Sequence, residues 1–456
     1  MIGFRLSELA RELPGVLHGE DAEVTAVSTD TRTLAPGELF VALRGPRHDG
    51  HDHIGAAAER GAAAALVERP RPLDLPQLAV ADTRRALGRL GALWRQRWGG
   101  PLVAVTGSNG KTTVKEMIAA ILARRGPVLA TRGNLNNDIG LPLTLCRLQD
   151  QARAVVELGA NHPGEIEYLA TLARPQVAVL NNAARAHLEG FGSVAGVARA
   201  KAEILAGLDP QGTFVFNADD PHAGLWRELA AGRALIDFGV DHPAAVHSPA
   251  DSYRLSWTET GFEARFQVNA PWGGFEVRLA LAGAHNRMNA LAAIAAAGAL
   301  GYEPQEMQAG LATLQPVPGR LQPRRAACGA RLLDDSYNAN PDSVGRALEV
   351  LVAAPGRRLM ALGDLGELGH EAPRLHAGLG EAARRAGVAR LYTCGPLGRH
   401  AAEAFGPGAR HCADRAALIE ALQADLGADD VLLVKGSRAA RMDEVVDALC
   451  GEVVSC

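Results

Sequence analysis

The chain has 456 residues, a formal net charge of −4, 47% hydrophobic and 21% charged residues. This excludes a disordered chain, and at ~100–200 residues per domain it points to about two to four domains with buried cores. The charge balance leaves no electrostatic footprint for nucleic acid or an anionic membrane. No apolar run is long enough to span a bilayer and the N-terminal MIGFRLSELARELPG has no signal-peptide core. Cys146, Cys328, Cys394, Cys412, Cys450 and Cys456 lack the paired spacing of a zinc site or a disulfide framework. A cytoplasmic monomer is the expectation. Of the 47 basic residues only four are lysines, Lys111, Lys115, Lys201 and Lys435, and the rest are arginines. Each lysine therefore raises the question of what a planar, permanently charged guanidinium could not do at its position.

In chain order, residues 1 to about 80 alternate short strands (EVTAVSTDTR, GELFVAL) with a helix, HIGAAAERGAAA, and the proline-rich RPRPLDLPQ reads as a linker. A helix, TRRALGRLGALWRQRW, then leads into the apolar strand PLVAVTG. The segments AVVELGA, PQVAVLNN and GTFVFNADD continue a strand-then-helix alternation that argues for a largely parallel sheet.

VAVTGSNGKTT joins strand, glycine loop and helix in direct succession. Gly107 and Gly110 let the backbone turn and aim its N–H groups inward, and the following helix adds its N-terminal dipole. Lys111 can reach the outer phosphates of a nucleotide, and the Thr112 hydroxyl can ligate Mg²⁺. Val114, Met117, Ile118, Ile121 and Leu122 form the helix's apolar face. Val105 stands where the common phosphate-loop pattern has its first glycine, so the loop is a variant. Lys115 lies one turn on, at a position that suits either the phosphates or a solvated face.

Glu157 ends the buried run AVVELGA, at the strand end where open α/β sheets bind ligands, and a carboxylate there suits Mg²⁺. His187 follows in AHLEGFGS; a loop histidine alone is more often structural than a ligand. In SVAGVARAKAEILAGL, Lys201 shares a helical face with Val194, Val197, Ile204, Leu205 and Leu208. It either snorkels over the core or works as a buried amine of lowered pKa, which can take up CO₂ as an anionic carbamate. Residues 251–281 read as antiparallel strands, the alanine-rich run after Asn289 as a buried helix, and LQPVPGRLQP as a boundary. Beyond it ARLLDDSYN, RRLMALGDL, RLYTCG and DDVLLVKG return to α/β alternation.

TGSNGKTT, GNLNNDIGLPLTL, VELGANHPGEI, NNAARAHLEGFGS, ARAKAEIL, AGAHNRMNALAAIAA, PGRLQP, DDSYNANPDS and LVKGSR occur in that order. Together they resemble the Mur ligases, and STDTRTLAPGELFVALRGPRHDGHDHI is similar to the family's uridine-nucleotide-binding domain. The resemblance implies a three-domain α/β chain. A small α/β domain (1–81) would bind the UDP substrate. A central P-loop-type domain, with a mainly parallel sheet and helices on both faces (82–314), would bind ATP. A Rossmann-like α/β domain (315–456) would close over ATP and bind the incoming dipeptide.

By resemblance, Thr106, Gly107, Ser108, Asn109, Gly110, Lys111, Thr112 and Thr113 would hold ATP. Asn286 and Asn289 would meet its adenine side, Arg320 its phosphates and Asp335 its ribose. Thr112 and Glu157 would serve one Mg²⁺, and His187 and a carbamylated Lys201 a second. Lys111, Glu157, His187 and Lys201 form the implied catalytic set. Ser28, Thr29, Arg32 and Gly45 would lie near the uridine diphosphate, Asn134, Asn136 and Asn137 on the nucleotide-peptide, and Tyr337 and Asn338 on the dipeptide. GNLNNDIG, AHLEGFGS and DDSYNANP point to the member that joins D-alanyl-D-alanine to UDP-N-acetylmuramoyl-tripeptide through an acyl phosphate, in peptidoglycan precursor synthesis. Two alternatives stay open: another ligase of this architecture, such as a folylpolyglutamate synthase, or a P-loop ATPase acting as a regulatory module. The roles of Lys115 and Lys435 stay open too.

Overall fold

The computed structural model describes residues 2–46, 48–185, 188–258 and 261–451. Three principal sheets, each with an apolar cluster on both faces, organise the chain. In the central sheet, Leu102–Thr106 lies between Arg153–Glu157 and Val177–Leu180, and Val128–Ala130 forms the edge beyond Arg153–Glu157. On the other side Thr213–Asn217, Ala234–Gly239 and Val246–His247 continue the parallel run. Leu102–Thr106 is buried along its whole length, as a strand covered by helices on both faces must be.

The antiparallel strands expected over 251–281 are Arg254–Trp257, Phe262–Ala270 and Gly273–Leu279, and they extend this sheet. The alanine-rich run is the helix Ala284–Ala299, whose residues from Ala290 to Ala297 are fully buried. Small side chains let it pack closely on the phosphate-loop helix, Lys111–Leu122. No helix among the described residues is long and apolar enough to cross a membrane.

In the C-terminal sheet Arg331–Asp335, Val431–Lys435, Arg358–Leu362, Arg390–Cys394 and Ala409–Cys412 run parallel, with Gln322–Arg325 antiparallel at one edge. The two edge strands carry little apolar alternation, which is why the sequence pattern passes over them.

Two expectations for the N-terminal region are corrected. The helix read through HIGAAAERGAAA stops at Glu59, because Gly61 takes a left-handed φ of +80° and the chain turns into the buried strand Ala64–Val67. The RPRPLDLPQ stretch is no interdomain linker. Its Gln77 begins the strand Gln77–Ala79, which pairs with Ala64–Val67 and Val16–His18 inside the N-terminal sheet.

The helix Thr83–Trp98 joins the N-terminal and central parts. Asp82 caps it by accepting from the backbone N–H groups of Arg84 and Arg85. Ala86, Leu87, Leu90 and Trp94 bury into the N-terminal core with Phe4, Leu6 and Leu9, while Ala92 and Trp98 pack on the central core. Trp94 is fully buried, 4.6 Å centroid to centroid from Phe4. Truncation of such a residue costs about 3–5 kcal/mol. Trp94→Ala is therefore expected to lower the unfolding free energy by an amount of that order, read by urea unfolding; a change under about 1 kcal/mol would contradict a tie through this helix.

Candidate functional site

A cleft of ≈ 2400 Å³ opens at the C-terminal ends of the central strands, faced by the C-terminal domain. A single small-molecule site is typically about 300–1,000 Å³, so this space can hold more than one reactant. The phosphate loop forms its floor. Gly110 has φ +79°, and a Cβ there would lie 2.5 Å from the Asn289 Oδ1, so the position needs glycine twice over. The Lys111 Nζ curls back to donate to the carbonyls of Gly107 at 2.7 Å and Ser108 at 3.3 Å. Burial, opposed by Glu157 and aided by Arg320, lowers Lys111 to about 8.

The loop is held from behind by asparagines that end the strand Val177–Leu180. Asn182 accepts from the backbone N–H of Ser108 through its carbonyl and from that of Asn109 through its side chain. The Asn181 Nδ2 donates to the Asn109 carbonyl at 3.0 Å and to the Asn289 Oδ1 at 2.9 Å. Asn289 donates in turn to Asn286, and Asn286 to the Ala282 carbonyl. Asn286 and Asn289 thus line the cleft while linking their helix to the loop. Thr106 lies beneath it, donating to the Leu158 carbonyl. Ser108 meets the backbone of Ala184, and Thr113 lines the cleft.

Glu157 is 2% exposed, in register with Val105 on the phosphate-loop strand. Its Oε2 accepts from the Asn136 Nδ2 at 3.4 Å; its Oε1 is buried and has no hydrogen-bond partner among the described residues. A partnerless buried carboxylate oxygen in a cleft is costly, and it fits a bound cation. Among the described residues no three His, Cys, Asp or Glu side chains converge on one point. A lone buried carboxylate oxygen suits Mg²⁺, which is usually held by one or two carboxylates plus phosphate oxygens and water. Asn134 and Asn137 also line the cleft, and the Asn137 Oδ1 accepts from the Gly140 N–H at 2.8 Å.

Lys201 is 1% exposed, on the helix Val194–Ala202. Its Nζ has one long hydrogen bond, 3.5 Å to the Ala160 carbonyl, and sits 5.4 Å from the centroid of the Phe191 ring. Burial, aided by the charge of Lys111, lowers it to about 7. His187 lies outside the described residues.

From the C-terminal side, the Arg320 Nη2 donates to the Thr112 Oγ1 at 3.1 Å, and the Asn340 Nδ2 to the Asn109 Oδ1 at 2.7 Å. Arg185 forms an ion pair with Asp342 at 2.6 Å. The domains therefore already meet across the phosphate loop.

Three family models match the chain: the Mur ligase family catalytic domain over residues 23–95, the Mur ligase middle domain over 105–297, and the Mur ligase glutamate ligase domain over 319–438. The chain belongs to the Mur ligase family. A relative from Escherichia coli (strain K12), named UDP-N-acetylmuramoyl-tripeptide--D-alanyl-D-alanine ligase, is 48% identical over 452 residues, covering 98% of this chain and 99% of the relative. A crystal structure of MurF from Acinetobacter baumannii superposes with a TM-score of 0.92 at 35% identity, over 99% of this chain and 100% of that one. MurF from Thermotoga maritima in complex with ADP gives 0.83 at 29% identity, over 94% of this chain and 97% of that one.

In this Mur ligase, Ser28, Thr29, Arg32 and Gly45 stand apart from the cleft lining, on the N-terminal domain. Ser28 and Asp30 form a local turn, and Arg32 pairs with Asp30 at 2.7 Å. On the C-terminal side, the Arg320 guanidinium lies 4.4 Å and that of Arg438 5.7 Å from the Tyr337 ring centroid, within cation–π range. Asn338 accepts through its side chain from the Ala339 N–H.

Several cleft residues escape the sequence reading. Asn181 and Asn182 carry the same signal as Glu157, polar groups ending a buried strand. His285, whose Nδ1 is buried without a partner and which burial lowers to about 4, sits inside the quoted HNRMN segment. Arg185 and Asp342, 157 residues apart, carry no local signal.

Lys435 is 1% exposed, and its Nζ donates to the Asp335 Oδ2 at 2.5 Å and the Asn338 carbonyl at 3.0 Å. Removing one partner of a buried pair costs about 3–5 kcal/mol, because the other charge is left uncompensated. Lys435→Ala is expected to lose stability at the low end of that range in urea unfolding, and the Asp335→Asn/Lys435→Met double variant to lose less than Lys435→Ala alone. A double variant at least as unstable as Lys435→Ala would contradict the pairing.

Proposed function

We propose that this chain joins D-alanyl-D-alanine to the terminal carboxylate of UDP-N-acetylmuramoyl-tripeptide, using ATP, in cytoplasmic peptidoglycan precursor synthesis. The observation that carries the reading is the juxtaposition, in one cleft, of the Lys111 phosphate loop, the partnerless Glu157 oxygen and an arginine from the opposite domain. The names of the relatives, over nearly the whole chain, support the choice of substrates.

The loop backbone and Lys111 bind the β/γ-phosphates of ATP, and Thr112 and Glu157 would hold a first Mg²⁺. A second Mg²⁺ would fall to His187 and to Lys201 as its carbamate. Such ions would supply charge neutralisation at the phosphates. Asn286 and Asn289 line the adenine side, and Asp335, set by Lys435, faces the ribose. Asn134, Asn136 and Asn137 orient the nucleotide-peptide, whose uridine diphosphate lies toward Ser28, Thr29, Arg32 and Gly45. Tyr337 and Asn338 face the dipeptide.

The substrate carboxylate attacks the γ-phosphorus, ADP leaves, and an acyl phosphate forms. The dipeptide amine then attacks the acyl carbon, loses its proton, and expels phosphate. Such a transfer needs mainly positioning and charge stabilisation. Arg320 adds positive charge from the C-terminal domain and gives up its Thr112 contact when the phosphates arrive. Domain closure shields the acyl phosphate from water. The catalytic unit is a monomer.

Support for the carbamate comes from the surroundings of Lys201: a buried ammonium has three donors, and among the described residues they find one long acceptor. Uptake of CO₂ by the neutral amine is favoured as pH rises through about 7; the nitrogen gives up a proton as the C–N bond forms, and the neutral amine becomes an anionic carbamate. Lys201→Arg, with charge retained, is expected to lose activity as fully as Lys201→Ala, and short carboxylic acids to restore part of the activity of the alanine variant. A fully active arginine variant contradicts the carbamate.

Phosphate release against a panel of nucleotide-peptides and amine acceptors tests the reading itself. Release in step with amide formation is expected only with D-alanyl-D-alanine. A preference for glutamate or a single amino acid, or hydrolysis indifferent to acceptor, would overturn it.

A further inference from the structure

Lys115 is one of the four lysines, and no step above uses it. It lies in the phosphate-loop helix, Lys111–Leu122, and is 2% exposed, so the solvated face open to it from sequence is not where it sits. Its Nζ donates to the main-chain carbonyl of Thr131 at 2.9 Å and pairs with Glu116. Thr131 is itself 1% exposed and is a junction. Its Oγ1 accepts from the Glu157 N–H at 3.0 Å, and its own N–H donates to the Val155 carbonyl at 3.2 Å. The chain beyond Thr131 leads to Asn136, whose side chain donates to the Glu157 Oε2 and whose carbonyl accepts from the Gly159 N–H at 2.8 Å. One ammonium thus ties the helix that begins with Lys111 and Thr112 to the strand end carrying Glu157 and to the asparagine loop.

We propose that Lys115 is a positioning residue that sets the Glu157 carboxylate relative to the phosphate loop, so that Thr112 and Glu157 can share one divalent cation. This rests on the reading that Glu157 holds Mg²⁺. The contact needs a compact donor: the Nζ reaches a main-chain carbonyl inside a packed junction, where a planar guanidinium demands more room and a forked set of acceptors. The groups facing it are the Thr131 carbonyl from the loop after Val128–Ala130 and the Glu116 carboxylate from its own helix. Glu116 is half-exposed, so the buried partner that transmits position is Thr131.

The test uses the full chain and measures binding without turnover: affinity for ADP, by calorimetry, with and without Mg²⁺. Removal of a group that orients a metal ligand typically lowers metal affinity about 10–100-fold. Lys115→Met keeps the stem and removes the donors. It is expected to bind ADP alone as the unmodified chain does, and to need roughly tenfold more Mg²⁺ to reach its tighter binding. Thr131→Val keeps shape, removes the acceptor for the Glu157 N–H, and is expected to shift the Mg²⁺ requirement in the same direction, which keeps the proposal testable if Lys115→Met does not fold. Glu157→Gln separates the two layers of the argument. Loss of the Mg²⁺ effect in that variant supports the metal reading, and adding Lys115→Met to it is then expected to change nothing further. An unchanged Mg²⁺ requirement in folded Lys115→Met or Thr131→Val would overturn the positioning role, as would equal losses from Lys115→Met with and without Glu157. A full Mg²⁺ effect in Glu157→Gln would instead overturn the metal reading beneath it.

Discussion

The architecture turns on one carboxylate held dry beside a phosphate loop. Glu157 ends a strand whose parallel register with Leu102–Thr106 places it against Val105, two residues before Gly107. A slip of one residue would send its side chain to the other face of the sheet and leave the loop without an acidic partner. The buried Glu157 Oε1 has no hydrogen-bond partner among the described residues. Around it, the asparagines at 181 and 182 fix the loop, the helix Ala284–Ala299 backs it, and Arg320 covers it from the other domain. Those elements hold the phosphate loop in place beside the carboxylate.

The lysines show the same economy of form. Each of the four donates to a main-chain carbonyl: Lys111 to Gly107, Lys115 to Thr131, Lys201 to Ala160 and Lys435 to Asn338. That reach to backbone is not peculiar to the ammonium, since the buried Arg95 guanidinium also donates to the Ala173 and Arg174 carbonyls. Differences among the lysines then set their roles. Lys435 has a carboxylate partner in Asp335 and Lys115 one in Glu116, so both hold geometry. Lys201 has no carboxylate within ion-pair reach among the described contacts, and burial drives its amine toward the neutral form.

Much of this was legible in the sequence because the signals are local. The loop, its helix and the apolar strand ending in Glu157 each lie within one contiguous segment, and the helical phase of Lys201 was enough to predict burial. What escaped is non-local or lies in weakly patterned edges. Nothing within a few residues of Arg185 announces Asp342, and nothing near Lys115 announces Thr131, because those contacts exist only once separate strands and domains pack. The N-terminal misreading has a specific cause: alanine before and after Gly61 carries the same composition in helix and strand, and only the left-handed turn separates them. The position of Ser28, Thr29, Arg32 and Gly45 relative to the cleft was equally out of reach, since it depends on how the helix Thr83–Trp98 sets one domain on another.

In the proposed reaction this cleft activates a carboxylate by moving phosphate onto it. The direct measurement is the oxygen content of the phosphate released when UDP-N-acetylmuramoyl-tripeptide carries ¹⁸O in its terminal carboxylate and D-alanyl-D-alanine is the acceptor. An acyl phosphate requires one labelled oxygen to leave with each phosphate. Phosphate that carries no label from the carboxylate, its oxygen drawn from water instead, would contradict the account.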